Sequence, residues 1–346
     1  MLSNYQDKIA VLPKLAQHKR LKLFDLATEL EHLERLSDAL GVVIDAKRDD
    51  TLPLAMGGNK VRQLEYYLGP AVEQNKDIVL ITGAVQSNFV RLCAAAAIKG
   101  GMKCVVQLEA RVPRNDAIYL QSGNVLIDRI LGAEIVHFAE GENENAADEN
   151  LEKIATVKTA QGMKPYVIHL GIDHPSLGGL GYVGAAVETW LQYKKLDYMP
   201  DHIIIPSGSG LTHAGFLVGA RAIGWDVTIH GICVRRDAAQ QRSRVVQRSA
   251  EIVEMMGGDV AIKDEDILLY DECLAPGYGQ INDKVKKAIS LAAHTEALML
   301  DPVYSGRTMA GLVDLVDDGI IKQGERVCFL HTGGTPAIFA YQDDLV

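Results

Sequence analysis

Short apolar runs alternate with longer amphipathic segments along most of the chain. The apolar runs are nearly continuous in hydrophobicity, which is typical of strands buried on both faces of a parallel sheet. They predict strands at Val42–Ala46, Ile78–Gly83, Lys103–Glu109, Glu134–Phe138, Tyr166–Leu170, His202–Pro206, Thr228–Val234 and Val327–His331. Helical patterns lie between them, for example at Asn88–Lys99, Ala117–Leu131, Leu180–Tyr193 and Leu211–Ile223. This repetition of strand and helix predicts an α/β fold with right-handed crossovers.

The first part of the chain follows a different pattern. Residues 21–40 have helical periodicity with many charges, and we interpret residues 1–40 as an arm that packs on the larger domain or on a partner subunit. A smaller domain is predicted over residues 55–165. Residues 1–54 and 166–346 would then form the larger domain.

Composition and charge narrow the functional classes. The chain has 346 residues and 48% hydrophobic residues, enough for two domains of an ordinary globular protein. A formal net charge of -10 argues against a nucleic-acid surface. No apolar stretch reaches the ~18 residues of a membrane span, and no secretory signal is visible in residues 1–20. These features predict a cytoplasmic protein.

The five cysteines lack the spacing of a metal site. They lie singly and without a CxxC pair, at Cys93, Cys104, Cys233, Cys273 and Cys328. Most fall in apolar runs, so we expect reduced, buried thiols and no zinc site or disulfide framework.

The run Gly57-Gly58-Asn59-Lys60 combines a tight turn with a lysine. The two glycines release the backbone, and an amphipathic pattern begins at Lys60. Lys60 is therefore predicted at or just inside a helix N-terminus. Taken alone, the run favours an ordinary surface lysine.

A glycine-rich turn follows the predicted strand at His202–Pro206. The residues from Ser207 to Thr212 read Ser-Gly-Ser-Gly-Leu-Thr and open into a helical pattern. Glycines let backbone N–H groups approach an anion closely, and the N-terminus of the following helix adds a partial positive charge, so the turn can bind an anion. The run has neither the Walker lysine nor a GxGxxG turn with an acidic residue downstream. It therefore favours a monophosphate over a dinucleotide, and a purely structural turn is the alternative.

Two further turns follow predicted strands and carry polar side chains. Thr332 lies in His331-Thr332-Gly333-Gly334, where open α/β sheets place their ligands. Gln86, Ser87 and Asn88 follow the strand that ends at Gly83. Ser87 is expected to cap the next helix, and the same N-terminus forms a cradle for a carboxylate.

A lysine, a monophosphate cup and a carboxylate cradle together indicate pyridoxal phosphate acting on an amino acid. Six segments support that interpretation and resemble one family in consistent order: GGNKVRQLEY, QSNFVRLCAAAA, QSGNVLIDRILGAEI, GSGLTHAGFLVG, DPVYSGRTMAGL and FLHTGGTPAIFAY. The family is that of 1-aminocyclopropane-1-carboxylate deaminases and D-cysteine desulfhydrases, which are fold-type II pyridoxal phosphate enzymes. L-cysteate sulfo-lyases belong to the same group. The resemblance runs from about residue 45 to the C-terminus.

The resemblance implies a fold and a set of roles. It implies two open twisted, mostly parallel sheets flanked by helices, as in the tryptophan synthase β subunit, with the cofactor between a large cofactor-binding domain and a small domain. Lys60 would hold pyridoxal 5'-phosphate covalently. The further cofactor-binding residues implied are Asn59, Asn88, Ser207, Gly208, Ser209, Gly210, Leu211, Thr212, Ser305 and Thr332. Tyr278 and Tyr304 match two active-site tyrosines, Ser87 is implied in catalysis, and Gln86, Ser87, Asn88 and Phe89 would contact the substrate. A homodimer is also implied.

Within the family, two positions favour β-elimination. The deaminases have a glutamate and a leucine where this chain has Ser305 and Thr332. A hydroxyl beside the ring nitrogen supplies no charge, so the ring is a weaker electron sink. That sink suffices for α-proton removal and loss of a good leaving group, such as sulfide, sulfite or chloride. We therefore predict a D-cysteine desulfhydrase-like activity that releases pyruvate, ammonia and sulfide.

Several departures from the family pattern keep other functions open. Phe89 replaces the usual histidine of the desulfhydrases, Leu211 replaces a smaller residue, and residues 171–176 are unlike the usual glycine-serine run. L-cysteate sulfo-lyase and 1-aminocyclopropane-1-carboxylate deaminase are the alternative activities. A catalytically inactive ligand-binding homologue is the non-enzymatic alternative. A nicotinamide-dependent enzyme would need a GxGxxG turn with an acidic partner, which is absent in register.

Overall fold

Two parallel-rich sheets organise the chain. The computed structural model describes residues 5–345, so residues 1–4 and 346 of the predicted arm and large domain lie outside the described residues. The strands are β1 (Leu30–His32), β2 (Val43–Arg48), β3 (Ile78–Ala84), β4 (Lys103–Glu109), β5 (Glu134–Phe138), β6 (Pro165–Ile168), β7 (His202–Ser207), β8 (Thr228–Cys233), β9 (Leu268–Tyr270) and β10 (Arg326–His331). Their six- and four-stranded sheets have the orders β1-β2-β10-β7-β8-β9 and β5-β4-β3-β6.

Helices cover the faces of both sheets. They are α1 (Tyr5–Val11), α2 (Glu34–Leu40), α3 (Lys60–Glu73), α4 (Asn88–Lys99), α5 (Ala117–Gln121), α6 (Gly123–Ile130), α7 (Glu144–Ala160), α8 (Gly179–Leu196), α9 (Leu211–Ala222), α10 (Ala238–Met255), α11 (Asp283–Glu296), α12 (Ser305–Asp317) and α13 (Gln342–Leu345). Only the β1–β2 pair is antiparallel among the described strands. The predicted α/β class with mostly parallel sheets is confirmed.

The central strands are apolar on both sides because helices cover both sides. Every residue of β3 and of β7 is buried. Ile203 and Ile205 of β7 pack in one core cluster, whereas Ile204 between them packs in another on the opposite face. This explains why the strand positions could be predicted from continuous hydrophobic runs rather than from alternation.

The boundary between the two sheets lies close to the predicted domain boundary. Strand β6 pairs with β3 and belongs to the four-stranded sheet, so that sheet extends to Ile168, beyond the predicted boundary at residue 165. The predicted arm is held against the six-stranded half, because Lys8 Nζ donates to Glu188 of α8 at 2.7 Å.

Residues 21–40 do not form the predicted single helix. Only Glu34–Leu40 is helical, and Leu30–His32 is an edge strand. The backbone N–H groups of Leu21 and Leu23 donate to the backbone oxygen and the carboxylate of Glu65 at 2.8 Å each. Tertiary hydrogen bonds to α3 therefore replace the helical ones that local periodicity predicts.

The predicted helix Ala117–Leu131 is broken in two. It ends at Gln121 and restarts at Gly123, whose φ of 57° is left-handed. A Cβ at Gly123 would lie 2.6 Å from Gln86 Oε1 and 2.7 Å from the Pro336 carbonyl oxygen. Close approach of two other loops therefore requires glycine and the break at this position.

The carboxyl ends of three strands define where a ligand can bind. Strand β3 leads to Ser87, β7 leads to Gly208, and β10 leads to Thr332. The first belongs to the four-stranded sheet and the other two to the six-stranded sheet. In open α/β sheets this edge is where ligands bind. Among the described residues, no helix is both long enough and apolar enough to cross a membrane.

Candidate active site

Lys60 is the first residue of α3, as predicted, and it faces the loop after β10. Gly57 and Gly58 have φ values of 66° and 124°, which form the tight turn before the helix. A Cβ at Gly58 would lie 3.1 Å from the carbonyl oxygen of Thr332, and the N–H of Asn59 donates to that oxygen at 2.9 Å. The glycine turn therefore joins the lysine to the end of β10.

The amine of Lys60 is poised to lose its proton. Its Nζ lies 3.2 Å from Gln63 Oε1 and 5.4 Å from the centre of the Phe89 ring. Burial lowers the pKa of Lys60 from 10.5 to about 8. The cause is desolvation alone. A neutral amine is the form that acts as nucleophile or base.

Ser87 caps α4, as predicted. Its hydroxyl accepts the N–H of Val90 at 3.3 Å, and its backbone is extended as an N-cap requires. Gly83 is needed beneath it, because a Cβ there would lie 2.8 Å from Ser87 Oγ. The backbone N–H groups of Asn88 and Phe89 remain at the open N-terminus of this 12-residue helix.

The side chain of Gln86 forms hydrogen bonds with the backbone of the segment from Tyr119 to Asn124. Its Nε2 donates to the carbonyl oxygens of Tyr119 at 2.6 Å and Ser122 at 3.1 Å. Its Oε1 accepts the N–H of Asn124 at 2.9 Å. Asn124 Nδ2 also donates to the carbonyl oxygen of Gln86 at 3.1 Å, so only the backbone N–H of Gln86 is left to contribute to the predicted substrate site.

The turn after β7 has the form of an anion cup, but its side chains contribute unequally. Ser207 is fully buried, and its hydroxyl contacts Gln241 at 2.9 Å and His213 at 3.2 Å, away from the turn. Leu211 packs in the core. Gly210 has a φ of 85° and precedes α9, which no side chain caps, so its first N–H groups are available to an anion.

Thr212 supplies a hydroxyl to the same cup. Its Oγ1 accepts from Asn59 Nδ2 at 3.0 Å and from Gln63 Nε2 at 2.8 Å. Because the oxygen accepts both bonds, its own hydrogen is left for another acceptor. Asn59 therefore acts on this site through Thr212, and Gly208 and Ser209 form the outer part of the turn.

The two active-site tyrosines implied by the resemblance contact each other. The hydroxyls of Tyr278 and Tyr304 lie 3.0 Å apart, and their rings pack edge to face. Burial raises the pKa of Tyr304 well above its ordinary value, so this hydroxyl stays protonated at neutral pH. The family resemblance implied one site for both residues, and the fold brings them into contact although they come from different segments.

Ser305 is backed by a carboxylate that sequence reasoning overlooked. The Ser305 hydroxyl donates to Asp301 Oδ1 at 2.7 Å. Asp301 is fully buried and also accepts the N–H groups of Val303, Tyr304 and Ser305, at 2.7 to 3.0 Å. These hydrogen bonds lower the pKa of Asp301, but its burial outweighs them and raises that pKa above the ordinary value. The signal was present in the sequence as the aspartate four residues before Ser305.

Two cavities share Lys60. The predicted site residues that line the arginine-lined cavity are Lys60, Ser87, Phe89, Gly208, Ser209, Tyr278 and Tyr304. The amide-lined cavity brings together Asn59, Lys60, Ser87, Asn88, Phe89, Tyr304 and Thr332. Gln86, Ser207, Gly210, Leu211, Thr212 and Ser305 line neither cavity.

The arginine-lined cavity also contains charged residues that sequence reasoning missed. They are Arg111, Glu144, Arg235 and Arg244. Burial opposes ionisation of Glu144, but Arg244, Arg235 and Arg236 outweigh it and lower the pKa of Glu144 to about 2. No local motif links these residues, because they come from four separate segments.

The residues present fit pyridoxal phosphate. An amine with a lowered pKa lies within reach of an uncapped helix N-terminus and a free threonine hydroxyl, which suit an aldehyde and a phosphate. Asn88 and Thr332, which offer an amide and a hydroxyl, line the same cavity as Lys60 and would contact the cofactor there. Among the described residues, no group of three or more side chains suits a metal ion.

The fold and this site define a cofactor-dependent enzyme with a reactive lysine between two sheets. The sequence profile described as "Pyridoxal-phosphate dependent enzyme" matches residues 21–333. The chain therefore belongs to the family of pyridoxal-phosphate dependent enzymes, and its cofactor is pyridoxal phosphate.

Curated relatives cover nearly the whole chain. A 1-aminocyclopropane-1-carboxylate deaminase of Bradyrhizobium sp. is 41% identical over 334 residues, which is 95% of this chain and 97% of the relative. A D-cysteine desulfhydrase of Yersinia enterocolitica is 40% identical over 328 residues, which is 95% of this chain and 97% of the relative. The resemblance inferred from the six segments is confirmed.

Solved structures support the fold. The crystal structure of a 1-aminocyclopropane-1-carboxylate deaminase homologue is 33% identical, covers 97% of this chain and 98% of its own, and superposes with a TM-score of 0.86. A fungal L-serine ammonia-lyase from Rhizomucor miehei is 18% identical, covers 92% of this chain and 97% of its own, and has a TM-score of 0.67. At that identity the second structure supports the fold alone, and the expected fold-type II architecture is confirmed.

Proposed function

We propose that this protein catalyses β-elimination on a small amino acid with pyridoxal phosphate, as a D-cysteine desulfhydrase does, and releases pyruvate, ammonia and the β-substituent. One observation carries the proposal. The desolvated amine of Lys60 shares a cavity with the open N-terminus of α4 and with a pair of tyrosine hydroxyls. This arrangement provides a base, a carboxylate site and a proton donor around one small volume.

The substrate carboxylate is held at the N-terminus of α4. The hydroxyl oxygen of Ser87 accepts a hydrogen bond from the N–H of Val90, so the hydroxyl hydrogen is left to donate to the substrate carboxylate. The N–H groups of Asn88 and Phe89 point the same way at the start of the helix. Phe89 forms an apolar wall against Lys60, which keeps the amine desolvated.

Lys60 removes the α-proton. Pyridoxal phosphate, held by Lys60, Asn88, Thr332 and the turn from Gly208 to Thr212, supplies an electron sink for the α-carbon. The substrate amine first replaces Lys60 on the cofactor, and the freed Nζ then takes the α-proton in its neutral form, which its lowered pKa makes accessible near neutral pH. Tyr304, protonated and in contact with Tyr278, donates a proton to the departing group.

Ring opening of a cyclopropane fits this site less well. Ser305 presents a hydroxyl in place of a carboxylate, and the Asp301 carboxylate behind it already accepts four hydrogen bonds. The site therefore offers no uncompensated negative charge beside Ser305 to hold a proton on the cofactor ring.

Three further features belong to this proposal. The small domain comprises residues 55–165, extended through β6, and the large domain comprises the remainder. The active form is a homodimer, as the resemblance implies. The protein works in the cytoplasm, which agrees with five buried, unpaired cysteines.

Product analysis with matched lysine variants tests the proposal. Protein loaded with pyridoxal phosphate is assayed for pyruvate from D-cysteine and β-chloro-D-alanine, and for 2-oxobutanoate from 1-aminocyclopropane-1-carboxylate. We expect pyruvate as the product. Lys60→Ala should lower turnover by about 10²- to 10⁴-fold or more, whereas Lys99→Ala, at an exposed lysine of α4, should not. Predominant 2-oxobutanoate, or an unchanged rate in Lys60→Ala, would contradict the proposal.

A further inference from the structure

Gln63 lies one helical turn after Lys60, so the two side chains share a face of α3. The side chain of Gln63 is fully buried. A Cβ at Gly178, at the start of α8, would lie only 3.0 Å from the Cβ of Gln63. The close approach of α8 therefore restricts where the Gln63 side chain can point.

The amide of Gln63 connects the amine with the anion cup. Its Oε1 lies 3.2 Å from Lys60 Nζ, and its Nε2 donates to Thr212 Oγ1 at 2.8 Å. An ammonium group has hydrogens to donate and no lone pair, so only the oxygen of the amide can face the charged form of Lys60. The amide nitrogen then faces Thr212, and both ends of the buried amide have a partner.

The partner that Gln63 offers to the amine is uncharged. Among residues 5–345, Lys60 forms no ion pair, and burial alone lowers its pKa. A neutral acceptor leaves that low pKa in place, whereas a carboxylate at the same distance would favour the charged amine and raise the pKa. The amide therefore holds the amine and still lets it lose its proton.

We infer that Gln63 positions the freed amine of Lys60 for removal of the α-proton. The inference rests on the proposed β-elimination and adds a positioning residue to it. Gln63 Oε1 accepts one N–H of the neutral amine, so the lone pair of Nζ points away from the amide. Restricting the amine to this orientation keeps the base aligned with the proton that it removes.

The hydrogen bond to Gln63 persists through the proton transfer. The α-proton moves from the substrate carbon to the lone pair of Lys60 Nζ, and the electron pair of the broken C–H bond stays with the substrate. The bond from Nζ to Gln63 Oε1 becomes charge-assisted as the proton arrives, which strengthens it. The step needs no further reactant.

Reductive methylation of the apo-protein tests the inference without cofactor or substrate. Formaldehyde and cyanoborohydride methylate neutral amines, and mass spectrometry measures the rate of labelling at Lys60 as a function of pH. We expect a midpoint near pH 8 in the wild type. Gln63→Glu should raise the midpoint by at least about one pH unit, because it places a carboxylate beside the amine. Gln74→Glu adds the same charge at the exposed C-cap of α3 and should leave the midpoint unchanged.

A second variant removes both hydrogen bonds without adding a charge. In Gln63→Met, we expect kcat for pyruvate release from β-chloro-D-alanine to fall about 3- to 10-fold, the size of one lost hydrogen bond. KM should change less than about twofold, because Gln63 does not bind the substrate. Thr212 keeps its hydrogen bond from Asn59 at 3.0 Å, so titration of the apo-variant with pyridoxal phosphate should give an affinity within about threefold of the wild type.

The outcomes separate this inference from the proposed function. An unchanged midpoint in Gln63→Glu, or no pH-dependent labelling of Lys60 in the wild type, would overturn the inference. A lower cofactor affinity with an unchanged kcat in Gln63→Met would also overturn it and assign Gln63 to the anion cup. Absence of pyruvate from every substrate would refute the proposed function, and the labelling midpoints would then still decide whether Gln63 positions the amine.

Discussion

Two networks of buried charged residues, one around Arg62 and one in the arginine-lined cavity, differ in how completely their hydrogen bonds are satisfied. The Arg62 network consists of Lys8, Lys47, Asp49, Arg62 and Glu188. Arg62 makes five hydrogen bonds, to Asp49, Glu188 and Thr28, and Lys47 makes three. The arginine-lined cavity instead leaves N–H groups of Arg111 and Arg235 without partners among the described residues.

The difference separates a structural network from a binding surface. The Arg62 network ties the arm, β2 and α8 to the helix that begins with Lys60, and it touches neither cavity. A closed network of this kind fixes geometry. A network that leaves N–H donors unpaired beside a reactive amine can bind a negatively charged ligand. Burial of arginine alone therefore does not identify function, whereas unused donors facing a cavity do.

The largest expected effect is the loss of Glu188. Its carboxylate bonds Lys8, Lys47 and Arg62, so Glu188→Gln leaves buried cations without their counter-charge. We expect a loss of about 3–5 kcal/mol in the free energy of unfolding, measured by urea denaturation. Glu254→Gln, at an exposed position of α10, is the matched control. A loss below 1 kcal/mol would show that the network is not the closed structural unit described here.

Glu144 gives a smaller effect with a defined pH dependence. Its pKa of about 2 lies below the ordinary 4.5 because Arg244, Arg235 and Arg236 outweigh its desolvation. Its stabilising contribution is therefore present above pH 4.5 and is lost as the pH falls toward 2. We expect Glu144→Gln to cost about 2–3 kcal/mol at pH 7 and much less at pH 2. A pH-independent difference in urea denaturation would contradict this account.

In the absence of cofactor, the Lys60 side chain should lower the free energy of unfolding. Burial lowers its pKa from 10.5 to about 8, so the folded protein binds this proton more weakly than the unfolded chain does. The penalty is complete below pH 8 and disappears as the pH rises to 10.5. Lys60→Met should therefore stabilise the apo-protein by about 2 kcal/mol at pH 7 and hardly at all near pH 10.5. Equal free energies of unfolding for the wild type and Lys60→Met at pH 7 would show that the amine is solvated in the folded protein, contrary to this account.

Local signals predicted most of the elements that carry the site. Strands β4 and β5 and helix α4 have the predicted bounds, because continuous apolar runs and a serine cap are encoded locally. The helical prediction for residues 21–40 was wrong because the backbone at the start of this segment forms hydrogen bonds with Glu65 instead of helical ones. Those partners lie about forty residues away, beyond the reach of periodicity.

The candidate site divides in the same way. Lys60, Ser87 and Thr332 were predicted from glycine or strand signals, and the family resemblance implied Tyr278 and Tyr304. Asp301 and the arginines were missed, since only the fold brings Arg111 and Arg235 to one cavity. The glycine-rich motif also could not predict that the Ser207 side chain points inward, because this orientation depends on a hydrogen bond with Gln241 in α10.

The bond between Lys60 and the cofactor is the central claim, and borohydride reduction tests it most directly. Protein loaded with pyridoxal phosphate is reduced, digested and examined by mass spectrometry for the phosphopyridoxyl group. We predict a single modified peptide with the group on the ε-nitrogen of Lys60. Modification of a different lysine, with Lys60 recovered unmodified, would contradict the account.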